Sequence, residues 1–151
     1  MESPCLTIQY TTSRFKNVTN ALQIQFADNT VLTQGLPVSL NASSLGMINH
    51  LEVVGPGQIF GEYQSGCFDI EDINGDTQVV FKDLTFNACY RDSQFVSAGV
   101  FASVSPYLSL TFEGCTFTEG RGALGGAMRL ENTRNLTIID SSFSQFDALY
   151  G

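Results

Sequence analysis

The 151-residue sequence predicts an all-β chain wound as a parallel β-helix, a solenoid of short strands, and three observations lead there. Apolar residues come in short alternating bursts separated by Gly, Asn, Asp and Ser, which is the strand-and-turn pattern and not the period of helices. The segment Leu110-Thr111-Phe112-Glu113-Gly114-Cys115-Thr116-Phe117 lines up with Leu136-Thr137-Ile138-Ile139-Asp140-Ser141-Ser142-Phe143 at an offset of 26, repeating the Leu, the first Thr and the last Phe. The same frame fits Val79-Val80-Phe81-Lys82-Asp83-Leu84-Thr85-Phe86, 31 residues earlier, and more loosely Leu51-Glu52-Val53-Val54-Gly55, 28 before that. A unit of this length is too thin to bury an apolar face alone, so such units stack on one another.

Along the chain, residues 1–20 are expected to form an N-terminal cap or an irregular first turn of a single domain spanning 1–151. Strand bursts follow at Leu22-Ile24-Phe26, Val38-Leu40, Leu51-Val53, Phe68-Ile70, Val79-Phe81, Leu84-Phe86, Val100-Ala102, Leu108-Leu110-Phe112, Cys115-Phe117, Met128-Leu130 and Leu136-Ile138, with a last one near Phe143-Phe146. That makes about five coils. Stacked coils put equivalent residues about 4.8 Å apart in columns. Phe86, Phe117 and Phe143 are expected in one column, Phe81, Phe112 and Ile138 in a second, and Val79, Leu110 and Leu136 in a third. Thr85, Thr116 and Ser142 align as a hydroxyl column, as do Thr111 and Thr137. Gly125-Gly126-Ala127 supplies a tight corner. The C-terminal coil is expected to leave an open edge, with end-to-end self-association as its consequence.

Composition narrows the partners. Seven Lys plus Arg against fifteen Asp plus Glu give a net charge of −8, the wrong sign for attraction to phosphate backbones, so nucleic acid is not expected as a partner. No apolar run approaches the roughly 18 residues of a membrane span, and Met1-Glu2-Ser3-Pro4 does not open a signal peptide. Cys5, Cys67, Cys89 and Cys115 are too widely spaced for a zinc site; two disulfides and buried filler thiols both fit them. Asn-x-Ser/Thr sequons at Asn17, Asn41 and Asn135 make these three asparagines glycosylation candidates and favour an exported, extracellular or cell-surface chain.

Three blocks carry a family resemblance: Leu110 to Phe117, Ala123-Leu124-Gly125-Gly126-Ala127-Met128, and Asn135 to Phe143. Together they resemble the repeats of the polymorphic outer-membrane protein type, which pair an aromatic segment with G-G-A-[ILV], within the pectate-lyase-like right-handed β-helix superfamily. Residues 22–34, Val38-Ser39-Leu40 and Leu51-Glu52-Val53-Val54-Gly55-Pro56-Gly57 look like the opening coils of such helices. The resemblance covers about residues 20–151 and implies a right-handed parallel β-helix. It further implies either a surface adhesion and scaffold protein or a polysaccharide-cleaving enzyme; fold alone does not choose between them.

The residues themselves point to no catalytic or cofactor site. The D-D and G-H-G motifs that related hydrolases use are missing from the sequence, and His50 has no Ser or Cys nucleophile motif beside it. The nearest approach to a calcium cluster is Asp69, Glu71, Asp72, Asn74 and Asp76, where Asn74-Gly75 more simply marks a turn. Gly120-Arg121-Gly122 and Gly125-Gly126 lack a phosphate-loop context and read as corners. The expected function is therefore a non-catalytic extracellular or cell-surface structural and adhesion module that binds a carbohydrate or a surface protein. The alternative is a fragment of a polysaccharide lyase or glycoside hydrolase acting on acidic polysaccharide.

Overall fold

A computed structural model describes residues 8–28, 30–33, 37–61, 66–91 and 99–148. The chain is mostly β and winds as a parallel solenoid of about four turns. A helix, α1 (Ile8–Phe15), precedes the first turn, which consists of β1 (Ala21–Gln25), β2 (Thr30–Thr33), β3 (Val38–Leu40) and a one-turn helix, α2 (Ala42–Leu45). β4 (His50–Phe60) and β5 (Phe68–Glu71) make the second turn, and β6 (Thr77–Asn87), β7 (Tyr90–Arg91) and β8 (Phe101–Val104) the third. The fourth turn holds β9 (Leu108–Glu113), β10 (Thr116–Gly122) and β11 (Met128–Glu131); β12 (Asn135–Ile139) and β13 (Ser142–Ala148) begin another. Counting repeats gives about five coils because it includes this last, incomplete one.

Among the described residues every strand pair is parallel, and the registers place equivalent residues of successive turns side by side. Leu22, Leu51, Val79, Leu110 and Leu136 form one inward column, and Ile24, Val53, Phe81, Phe112 and Ile138 the next. Leu32, Ile59, Phe86, Phe117 and Phe143 form a third, on the neighbouring side of the coil. All three columns expected from the repeat are present. Their rings are close to parallel: Phe86 and Phe117 lie 4.9 Å apart at 7°, and Phe117 and Phe143 lie 4.4 Å apart at 4°. From across the lumen Phe101 meets Phe112 edge-on at 4.8 Å, so the ladders interlock, as aromatic quadrupoles favour.

The third side, β3-β5-β8-β11, carries Val38, Phe68, Phe101 and Met128 in one column and Leu40, Ile70, Ser103 and Leu130 in the other. Here the structure differs from the expected strand phase. Val100-Phe101-Ala102 is apolar throughout, and it is Phe101, stacked on Phe68 at 4.9 Å and 5°, that turns inward at this rung.

Corners are made by single left-handed residues. Asp83, Gly114 and Asp140 have φ of 51°, 61° and 47° at the equivalent bend of successive turns. Asp and Gly tolerate this conformation better than most residues do. Gly120 is required for a different reason: a Cβ there would collide with the Phe146 ring that packs on it one turn later.

Helices appear where the strand pattern is silent. α1 packs against β1, β3 and α2 and buries Ile8 and Thr12. Asn41 caps α2: its Oδ1 accepts from Ser44 N at 3.0 Å while Ser44 Oγ accepts from Asn41 N at 2.8 Å. This reciprocal pair satisfies donors that would otherwise be orphaned at the helix start.

Candidate polar groove on the sheet face

Outward-facing residues on the first side of the coil alternate with the buried columns and stack in the same registers. His50, Gln78, Ser109 and Asn135 form one outward rung set; Gln23, Glu52, Val80, Thr111 and Thr137 form another. A shallow groove of about 600 Å³ crosses this face, with Asn49, His50, Gln78, Ser109, Thr111 and Asn135 among its lining residues. His50 Nδ1 lies 3.1 Å from Gln78 Oε1, and Asn135 Nδ2 donates to Ser109 Oγ at 3.3 Å. Asp76 borders the groove and pairs with Arg134 at 2.5 Å. The groove presents amides and hydroxyls with spare donors and acceptors in a regular array, the complement of a hydroxyl-rich ligand.

Charge on this face is gathered beside the groove around Lys82. Its ammonium lies 2.8 Å from Glu52 and 3.6 Å from Glu113, and Gln23 Nε2 donates to Glu52 at 2.6 Å. The Lys82 hydrogen bond, with Gln23 second, holds the Glu52 carboxyl below its ordinary range, and Glu52 in turn raises the Lys82 ammonium. A glycoside-cleaving pair needs one carboxyl kept protonated to give a proton to the leaving oxygen. Glu52 is tuned the other way, to stay ionised and accept hydrogen bonds.

The sequence-derived candidates are dispersed. Asp69 sits on β5 between Ser39 and Ala102, Asp72 takes a left-handed turn at φ 51°, and Asp76 is engaged by Arg134. Among the described residues no three His, Cys, Asp or Glu side chains converge on a point that could hold a metal ion. Asn74 is an exposed turn residue. Of the glycosylation candidates, Asn17 lies on an exposed turn after α1 beside the exposed Val18; Asn41 is the α2 cap; Asn135 opens β12 at the groove edge.

Both readings of the cysteines hold in part. Cys67 and Cys89 form a disulfide that joins the start of β5 to the end of β6, and Cys115 is a buried free thiol. Cys115 Sγ donates to Phe81 O at 3.4 Å, and burial raises its pKa. Cys5 lies outside the described residues, as do Leu149, Tyr150 and Gly151.

The hydroxyl columns are in place: Thr85, Thr116 and Ser142 share one register, and Thr111 lies beside Thr137. The groove is what sequence reading missed, because its residues are separated by whole turns of chain and only the winding unites them. No family model, curated protein or solved structure matches the chain. No helix among the described residues is long and apolar enough to cross a membrane.

Proposed function

We propose that this chain is a non-catalytic structural and adhesion module of an extracellular or cell-surface protein, and that the amide- and hydroxyl-lined groove binds a neutral carbohydrate chain. The observation that carries the reading is the outward ladder His50, Gln78, Ser109 and Asn135, whose side chains repeat at the coil spacing on a rigid sheet. Sites built on strands hold their polar groups in place more firmly than sites on loops, which lowers the cost of ordering them around a ligand. The Cys67–Cys89 disulfide supports export, since such bonds persist in oxidising compartments. The resemblance of the Leu110 to Phe143 repeats to those of polymorphic outer-membrane proteins and pectate-lyase-like helices supports the same placement.

Calorimetric titration with neutral oligosaccharides tests the proposal. Saturable binding that weakens about tenfold in Gln78→Ala and Asn135→Ala is expected, with a fold unchanged by circular dichroism. Binding that ignores both substitutions would remove the groove from the account. Cleavage of pectin or alginate, lost in Asp72→Ala or on chelation, would replace the module reading with a lyase.

A further inference from the structure

The corner between β5 and β6 carries an Asn-Gly pair, Asn74-Gly75, outside the lining of the groove. The corner is pinned at both ends: Ala42 N donates to Asp72 O at 3.3 Å, and Thr77 N donates to Tyr107 O at 3.0 Å. Ile73 and Thr77 are buried, while Asn74, Gly75 and Asp76 stand exposed between them. Gly75 has a φ of 82°, and a Cβ there would meet nothing within 4 Å, so the pair projects into open space. Among the described residues neither the Asn74 side chain nor the Gly75 N–H makes a hydrogen bond; only the Gly75 carbonyl is engaged, accepting from Thr77 Oγ1 at 3.2 Å. No other asparagine in the sequence is followed by glycine.

We propose that Asn74 is a self-modification site, converted in the folded chain to a mixture of aspartate and isoaspartate through a cyclic imide. The Gly75 nitrogen attacks Cγ of Asn74, and the new N–Cγ bond closes a five-membered ring. The Gly75 N–H proton leaves with the side-chain nitrogen as ammonia. Water, the sole co-reactant, then opens the imide. Its addition at Cγ breaks the new bond and gives aspartate. Its addition at the Asn74 backbone carbonyl breaks the original peptide bond and gives isoaspartate, in which the chain continues through the former side chain. Either route replaces a neutral amide by a carboxyl group that is ionised at neutral pH.

The ring closes at this residue for physical reasons. Glycine leaves no Cβ beside the attacking nitrogen, no hydrogen bond has to break first, and the two reacting groups are held one residue apart. Other asparagines lack these conditions. Asn41 accepts from Ser44 N, Asn87 accepts from Thr118 Oγ1 and Asn135 donates to Ser109 Oγ, and each precedes a residue with a Cβ. The open space around Gly75 also accommodates the longer isoaspartate backbone, so the product forms without unwinding the coil. The new carboxylate joins Asp72 and Asp76 in one turn. Asp76, Thr77 and Gln78 line the groove, so the modification raises the negative charge at its rim.

The test ages the intact chain at neutral pH in water enriched in heavy oxygen and follows proteolytic peptides by mass spectrometry, with fragmentation that tells isoaspartate from aspartate. A synthetic peptide of residues 70–79, which has the sequence without the fold, is aged in parallel. Heavy oxygen is expected at Asn74, with isoaspartate in excess of aspartate and a rate within about tenfold of the free peptide's. The exposed substitution Asn74→Gln, which would need a larger ring, should suppress the labelling and leave the melting temperature unchanged. A rate more than about tenfold below the peptide's would show that the folded turn forbids ring closure, and would overturn the proposal. Aspartate without isoaspartate, the mark of direct hydrolysis, would overturn it too, as would labelling of Asn49 or Asn132 to the same extent as Asn74. None of these readouts involves a ligand, so failure here leaves the carbohydrate reading standing.

Discussion

At the first turn α1 lies across β1 and β3, Met47 N donates to Lys16 O at 2.7 Å, and Leu22, Ile24 and Leu32 are left half-buried. At the last turn the same three columns end in Leu136, Ile138 and Phe143 with nothing described above them. Residues of one type in one register thus have different energetic weights according to whether a neighbour covers them. In a solenoid, stability is a sum over interfaces between adjacent turns, so a column contributes most where it is covered on both sides.

Paired substitutions along one column probe that difference most strongly. Phe117→Ala, between Phe86 and Phe143, should cost about 3–5 kcal/mol by urea denaturation, the range for emptying a buried aromatic site. Phe143→Ala should cost roughly half that or less, because a large part of its ring faces solvent already. Equal costs would mean that the terminal coil is covered in solution.

The disulfide tests cooperativity between the two ends. It closes a loop with a sequence separation of 22, for which the chain-entropy estimate is about 3 kcal/mol. Reduction should therefore lower the unfolding midpoint. Hydrogen exchange on the reduced chain should show the third and second turns loosening together, since Cys67 and Cys89 flank β5 and β6.

A smaller effect belongs to the covered end alone. Asn41→Ala removes the α2 cap and should cost about 1 kcal/mol, with exchange rising around α1 and α2 while β12 and β13 are unaffected.

The smallest effect is electrostatic. The Glu52 carboxyl is held below its ordinary range in the folded chain, so the unfolded chain binds its proton first as pH falls. The stabilisation is complete above the unfolded value and is lost as pH drops through the folded one. Melting temperature against pH should show a slight loss on acidification that Glu52→Gln abolishes. Cys115 runs with the opposite sense: its pKa is raised by burial, so the folded state loses stability as pH rises past the ordinary thiol value, and Cys115→Ala flattens that alkaline limb.

The inward columns were readable in the sequence because Leu110-Thr111-Phe112 and Leu136-Thr137-Ile138 repeat both a period-two alternation and a coil-length spacing, and only stacking satisfies both. α2 was not readable: four residues hold no periodicity, and its signal, Asn41 with Ser44 three residues on, also occurs in ordinary turns. The phase of β8 was missed because three consecutive apolar residues are compatible with either face. The Cys67–Cys89 pairing was one of several that four separated cysteines allow. The groove was invisible for a topological reason: Asn49, Gln78, Ser109 and Asn135 are unremarkable singly and become a surface only once the winding sets them on adjacent rungs. The repeat therefore specifies the scaffold, while the outward positions, free of any packing demand, vary without pattern.

The stacking of equivalent residues in parallel register is tested most directly by proton–proton contacts measured by nuclear magnetic resonance on the chain in solution. Ring contacts are expected from Phe86 to Phe117 and from Phe117 to Phe143, with none from Phe86 to Phe143, together with backbone contacts from Val79 to Leu110 and from Leu110 to Leu136. Direct contact between Phe86 and Phe143, or the close α-proton pairs typical of antiparallel strands, would contradict the solenoid.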